Sequence, residues 1–212
     1  MTSLTLVAHA LTPALRGLVL GGAAEPDAAS LEAARELKLD ADEVFLGPEP
    51  AAVRTAEAFG LTGRVEQALR DREYGDWTGR SLEELLTAEP QQVAEWLEHP
   101  HTAPPGGESA NDVLTRVADW LGDLADLGDL ADADADLLDE LVADPAARPG
   151  ADVADEGGAA RSTGSRKVVA VVHPAVVRAA VLYVLEAPAE SLRHVDAIWR
   201  SEERRVGKEC RS

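Results

Sequence analysis

The 212-residue chain has a single cysteine, Cys210, two residues from its end. This excludes an internal disulfide and any zinc site built on cysteine. No apolar stretch is long enough to cross a bilayer, and the amino terminus lacks the basic-then-apolar pattern of a secretory signal. Positive charge is scarce: 20 Lys and Arg against 39 Asp and Glu leave a formal charge of −19. Nucleic acid and anionic membranes are poor partners for such a chain, because phosphate backbones need a basic face. A small anionic substrate is still allowed, since the local field of a pocket can oppose the net charge. The expectation is a cytoplasmic protein that binds neither nucleic acid nor membrane.

What is present starts with two histidines in matching contexts. His9 follows the apolar run Leu4-Thr5-Leu6-Val7, and His173 follows Val168-Val169-Ala170-Val171-Val172. Strands of a parallel sheet that end in histidine place both imidazoles on the edge where such sheets hold ligands. One imidazole can attack phosphorus while the other stabilises charge on its oxygens. The plainer alternative is that each ring satisfies a loop carbonyl.

Between them, strands and helices alternate. Thr12-Pro13 reads as an N-cap with proline at the first helical position, opening a short helix through Leu15 and Leu18. An amphipathic helix is predicted over 29–37, a strand over 43–46 and a helix over 50–59. Ser81 with Glu84 forms a capping box, further helices are predicted over 91–98 and from Ser109, and a strand then leads to His173. A helix over 175–185 and a last short strand over 194–199 follow. This order predicts an α/β fold, a three-layer sandwich around a mostly parallel sheet, in one domain over 1–200. From Gly122 to Ser165 the pattern gives way to Asp, Ala and Gly, so 122–165 is expected to be a disordered acidic insertion, with Leu137, Leu138 and Leu141 extending a helix briefly. Residues 201–212 break from the style of the rest and are read as a tail that is not native.

Several stretches carry a resemblance. Val7-Ala8-His9-Ala10-Leu11-Thr12 stands where a known family has Arg-His-Gly-x-Thr, and Arg54-Thr55-Ala56-Glu57-Ala58 closes a segment similar to Ser-x-x-x-Arg-Ala-x-x-Thr-Ala. Leu69 to Gly79 contains a Gly-x-Trp-x-Gly turn, Pro105 to Ser109 contains Gly-Gly-Glu-Ser, and Val172-His173 matches a second histidine strand. The chain resembles branch 1 of the histidine phosphatase superfamily, the phosphoglycerate mutase-like proteins. The resemblance implies that His9 is a nucleophile forming a phosphohistidine, that Glu108 is the general acid, and that His173 hydrogen-bonds the phosphoryl oxygens. It implies a phosphomonoester hydrolase acting on a small phosphorylated metabolite without metal or cofactor. A homodimer is compatible with it.

Two family arginines fall on Ala8 and Ala51, so the expected activity is weak. Arg54, one helical turn beyond Ala51, and Thr12 are the expected substrate-binding substitutes; Arg16 and Arg178 are more remote ones. For Glu108 the alternative is an ordinary carboxylate at a helix start, and for Arg54 a solvated surface charge. A metal site on His9, His173 and Glu108 is a weaker reading. For the whole chain, the alternative is a catalytically impaired protein of this fold that binds an anion or a partner.

Overall fold

A computed structural model describes residues 2–142 and 166–194. Four strands, β1 (Thr2–Ala8), β2 (Glu43–Leu46), β3 (Arg64–Val65) and β4 (Arg166–Val172), form one sheet in the order β1-β4-β2-β3. Every pairing is parallel. The pattern Val168-Val169-Ala170-Val171-Val172 suits the central strand β4, because a parallel strand covered on both faces reads as an unbroken apolar run.

Successive side chains of β4 point to opposite faces. Val168, Ala170 and Val172 pack with Phe45 against Val117 and Trp120 of α6 (Ala110–Val142) and Val176 and Ala179 of α7 (Pro174–Val184). Val169 and Val171 face the other way, onto Ala52 and Ala56 of α3 (Pro50–Ala58). Helices therefore cover both faces of the sheet. A smaller cluster of Trp77, Leu85 and Val93 packs α4 (Leu82–Ala88) and α5 (Pro90–Glu98) beside this core.

The strand over 43–46 and the Ser81 capping box agree with the sequence reading. Three elements differ. The first helix, α1 (Pro13–Arg16), stops before Leu18, which adopts a left-handed φ of 49°. β3 has only two residues, too few for an alternating pattern to register. The helix opened after Ser109 runs past Gly122 to Val142, and Val113, Val117, Trp120 and Leu124 form one buried stripe along its first half. The rest of the acidic insertion, the segment expected as a strand after His194 and the tail 201–212 lie outside the described residues. Among the described residues no helix is long and apolar enough to cross a membrane.

Gly75 fixes the approach of one loop to another. Gly75 has φ 52°, and a Cβ there would stand 2.1 Å from the Pro105 carbonyl oxygen and 2.6 Å from Gly107 N. Only glycine lets the 71–79 segment lie against the 105–108 turn at this distance. Trp77, between Gly75 and Gly79 in sequence, is buried, its Nε1–H donating to Glu89 at 3.0 Å, which makes it a packing residue.

Candidate active site

The register pairs Ala8 with Val172, so the residues that follow, His9 and His173, leave neighbouring strands side by side. His9 N–H donates to Val172 O at 2.9 Å and extends the ladder by one bond. The ring centroids lie 5.2 Å apart at an interplanar angle of 52°. β4 is inserted between β1 and β2, so both imidazoles stand where the strand order switches, at the carboxyl ends of the strands.

The His9 ring is fixed by its neighbour. Its Nδ1–H donates to the Ala10 carbonyl at 2.8 Å, and a carbonyl can only accept, so the lone pair is on Nε2. Burial lowers the His9 pKa to about 4, and the nearby His173 ring adds to the effect. The imidazole is therefore neutral and nucleophilic near pH 7. Thr55 holds the following turn: its Oγ1 accepts from Ala10 N at 2.9 Å and donates to Ala51 O at 2.6 Å.

His173 is the N-cap residue of α7, and its Nδ1 lies 2.7 Å from Asp71 Oδ1 and 3.2 Å from Ala175 N. One nitrogen cannot donate and accept at once. The shorter contact, to a carboxylate, is the stronger, so Nδ1–H donates to Asp71. Asp71 Oδ1 also accepts from Arg72 N, while among the described residues no hydrogen bond engages its Oδ2. The Asp71 backbone is held on both sides: its N–H donates to Glu49 Oε1 at 2.5 Å, and its carbonyl accepts from Arg116.

These groups line a hollow of about 150 Å³ that includes His9, Thr12, Glu49, Asp71, His173 and Arg178. A wider recess of about 470 Å³ adjoins it, sharing Glu49, Asp71 and Tyr74. Burial pushes the Glu49 carboxyl up, and the Asp71 N–H it accepts works against this. Thr12 Oγ1 caps α1 by accepting from Leu15 N at 3.1 Å, which leaves its hydroxyl proton free to donate into the hollow.

Two of the expected residues are not brought to the hollow. Glu108 is not on the wall: its carboxylate accepts from Arg70 (2.5 Å), Arg116 (2.9 and 3.2 Å) and Glu73 N (3.1 Å). All four contacts use it as an acceptor, and it clamps the Asp71 segment to α6 rather than facing substrate. Set apart from the imidazoles, Glu108 cannot complete a metal site with them, and among the described residues no group of three or more His, Cys, Asp or Glu is placed to hold a metal ion. Arg54 is exposed and bound to Glu25 (3.3 Å) and Glu57 (3.2 Å), because its position on α3 points away from the sheet edge. His9, His173 and Thr12 do come together. Asp71 and Glu49 were missed in the sequence, although both follow the end of a strand or precede a glycine-anchored turn, where side chains reach the crevice.

A family model described as "Histidine phosphatase superfamily (branch 1)" matches residues 27–130. Over those residues the chain is similar to branch 1 of the histidine phosphatase superfamily. The chain is 31% identical over 137 residues to glucosyl-3-phosphoglycerate phosphatase of Mycobacterium tuberculosis, covering 65% of this chain and 49% of that protein. The chain spans 18% to 49% of the length of the first curated relatives it matches. Among solved structures it is similar to the alpha-ribazole phosphatase from Shigella flexneri, with TM-score 0.67 and 20% identity over 90% of this chain and 83% of that one. It is also similar to Bacillus stearothermophilus YhfR, with TM-score 0.69 and 18% identity over 95% and 88% of the two chains. At these identities the structural likeness is one of fold.

Proposed function

We propose that the protein hydrolyses phosphate monoesters of small metabolites through a phosphohistidine on His9, with Asp71 in the general-acid role expected of Glu108. The observation that carries this reading is the set of three groups at one strand edge: a neutral His9 with Nε2 free, and Asp71 and His173 sharing a proton at 2.7 Å.

Nε2 of His9 attacks phosphorus, and the P–O bond to the alcohol breaks with its electron pair on the leaving oxygen. With His173 carrying a proton on both ring nitrogens, Asp71 relays the Nδ1 proton to that oxygen, and the ring is left neutral with its proton on Nε2. Water then attacks the phosphohistidine, gives a proton back to Asp71, and releases phosphate with His9 regenerated. His173 and the Thr12 hydroxyl donate to the non-bridging oxygens as charge builds on them. Asp71 lines both cavities, so the alcohol part of the ester sits in the wider recess beside the hollow.

The relatives support the substrate class: their names include a glucosyl-3-phosphoglycerate phosphatase and a phosphoserine phosphatase. The test is incubation with p-nitrophenyl phosphate and a panel of phosphorylated sugars and hydroxy acids, with rapid quenching to trap an acid-labile phosphoryl group. The expected result is label on His9 and none in His9→Ala. Equal turnover by the His9→Ala protein would end the proposal. Anion binding with no turnover and no label would favour the impaired, binding-only reading.

A further inference from the structure

Most arginines with described side chains are already committed. Arg16 is bound to Asp27, Arg54 to Glu25 and Glu57, Arg70 and Arg116 to Glu108, and Arg80 to Glu89. Arg35, Arg64 and Arg166 likewise meet carboxylates, and Arg72 donates to the carbonyls of Glu108 and Thr102. Arg178 differs. It stands on α7 one turn beyond His173, its Nε is buried, and among the described residues no hydrogen-bond acceptor meets it.

Arg178 is also the one arginine or lysine among the described residues lining the His9 hollow. The same wall carries the carboxyl groups of Glu49 and Asp71. A phosphoryl dianion entering a low-dielectric hollow beside two carboxylates is repelled unless a cation answers it. A guanidinium nitrogen that is desolvated and unpaired is unfavourable until an acceptor arrives, and its fork of donors matches phosphate oxygens. Ala8 and Ala51 offer no such group. Ala51 lines the hollow as a methyl.

We infer that Arg178 is the phosphoryl-binding cation of this site, supplied from the helix after the second histidine. The inference rests on the phosphohistidine reading for the identity of the anion. Arg178 also borders a separate cavity of about 220 Å³ with Trp96 and Leu192. A role confined to that cavity would leave phosphate binding untouched.

The experiment is titration of the full chain with inorganic phosphate and with orthovanadate, followed by calorimetry and phosphorus NMR. Arg178→Ala is expected to weaken phosphate binding by about 10- to 100-fold, the loss of one charge-assisted, forked contact. Arg178→Lys keeps the charge without the fork and should fall between Arg178→Ala and the native chain. Arg54→Ala should bind as the native chain does. Thermal unfolding is followed in parallel, and Arg178→Gln is read instead if the alanine protein does not fold. Native affinity in both Arg178→Ala and Arg178→Gln would overturn the inference and leave phospho-His9 standing. Loss of phosphate binding in the Arg178 variants, with no label ever found on His9, would leave Arg178 as the anion's cation and remove the hydrolase. A native chain that binds neither phosphate nor vanadate would remove both.

Discussion

Asp71 Oδ1 lies 2.7 Å from His173 Nδ1, joining a loop before the Gly75 turn to the tip of the central strand. This contact places a proton beside the His9 ring and explains why the 69–73 segment is so heavily restrained. Glu49 holds the Asp71 N–H, and Arg116 holds the carbonyls of Ala68, Arg70 and Asp71.

Asp71→Asn removes the proton donor while keeping the shape. Turnover of alkyl phosphates should fall by about 10²–10⁴-fold, the usual range for a positioned acid. Esters with a good leaving group, such as p-nitrophenyl phosphate, should lose far less, since their oxygen departs without a proton. Equal losses on both substrate types, measured as kcat, would show that Asp71 does not protonate the leaving group.

Glu108→Gln should act on stability. It leaves Arg70 and Arg116 facing a neutral amide in a site where both the Glu108 and Arg116 side chains are 12% exposed. The cost is about 2–3 kcal/mol in urea unfolding at neutral pH. The acid role assigned from sequence requires instead a large drop in kcat with stability unchanged.

Gly75→Ala forces a Cβ to within 2.1 Å of the Pro105 carbonyl oxygen, in a backbone with φ 52°. The two loops must separate, at a cost of about 2–4 kcal/mol. Thermal unfolding should show a lower midpoint, and the Asp71 segment should exchange amide protons faster. An unchanged midpoint would contradict the close approach.

The His9 titration makes stability depend on pH. In the unfolded chain a histidine takes up its proton near 6.5, whereas the buried ring does so only near 4. Between those values the unfolded state binds more protons, so stability present above pH 6.5 is lost as the pH falls toward 4. The loss is about 3 kcal/mol. His9→Gln, which has no group titrating there, should flatten that part of the curve. Urea midpoints collected from pH 4 to 7 on both proteins decide it.

The α/β alternation, the strands that end in His9 and His173, and the capping box at Ser81 were all legible in the chain, because each is written in consecutive residues by hydrophobic period or cap chemistry. The site's carboxylates were not. Glu108 and Asp71 are both acidic residues in motif-like stretches, and nothing local distinguishes the one clamped by Arg70 and Arg116 from the one bonded to His173. The same holds for the arginines. Arg54 is close to Ala51 in sequence, yet it is spent on Glu25 and Glu57, while Arg178 reaches the hollow because α7 starts at His173. Local order fixed the elements and the two imidazoles. Only the packing of loops over the sheet edge decided which charged group meets which, since a pairing between distant residues depends on three-dimensional distance and desolvation and leaves no periodic mark in the sequence.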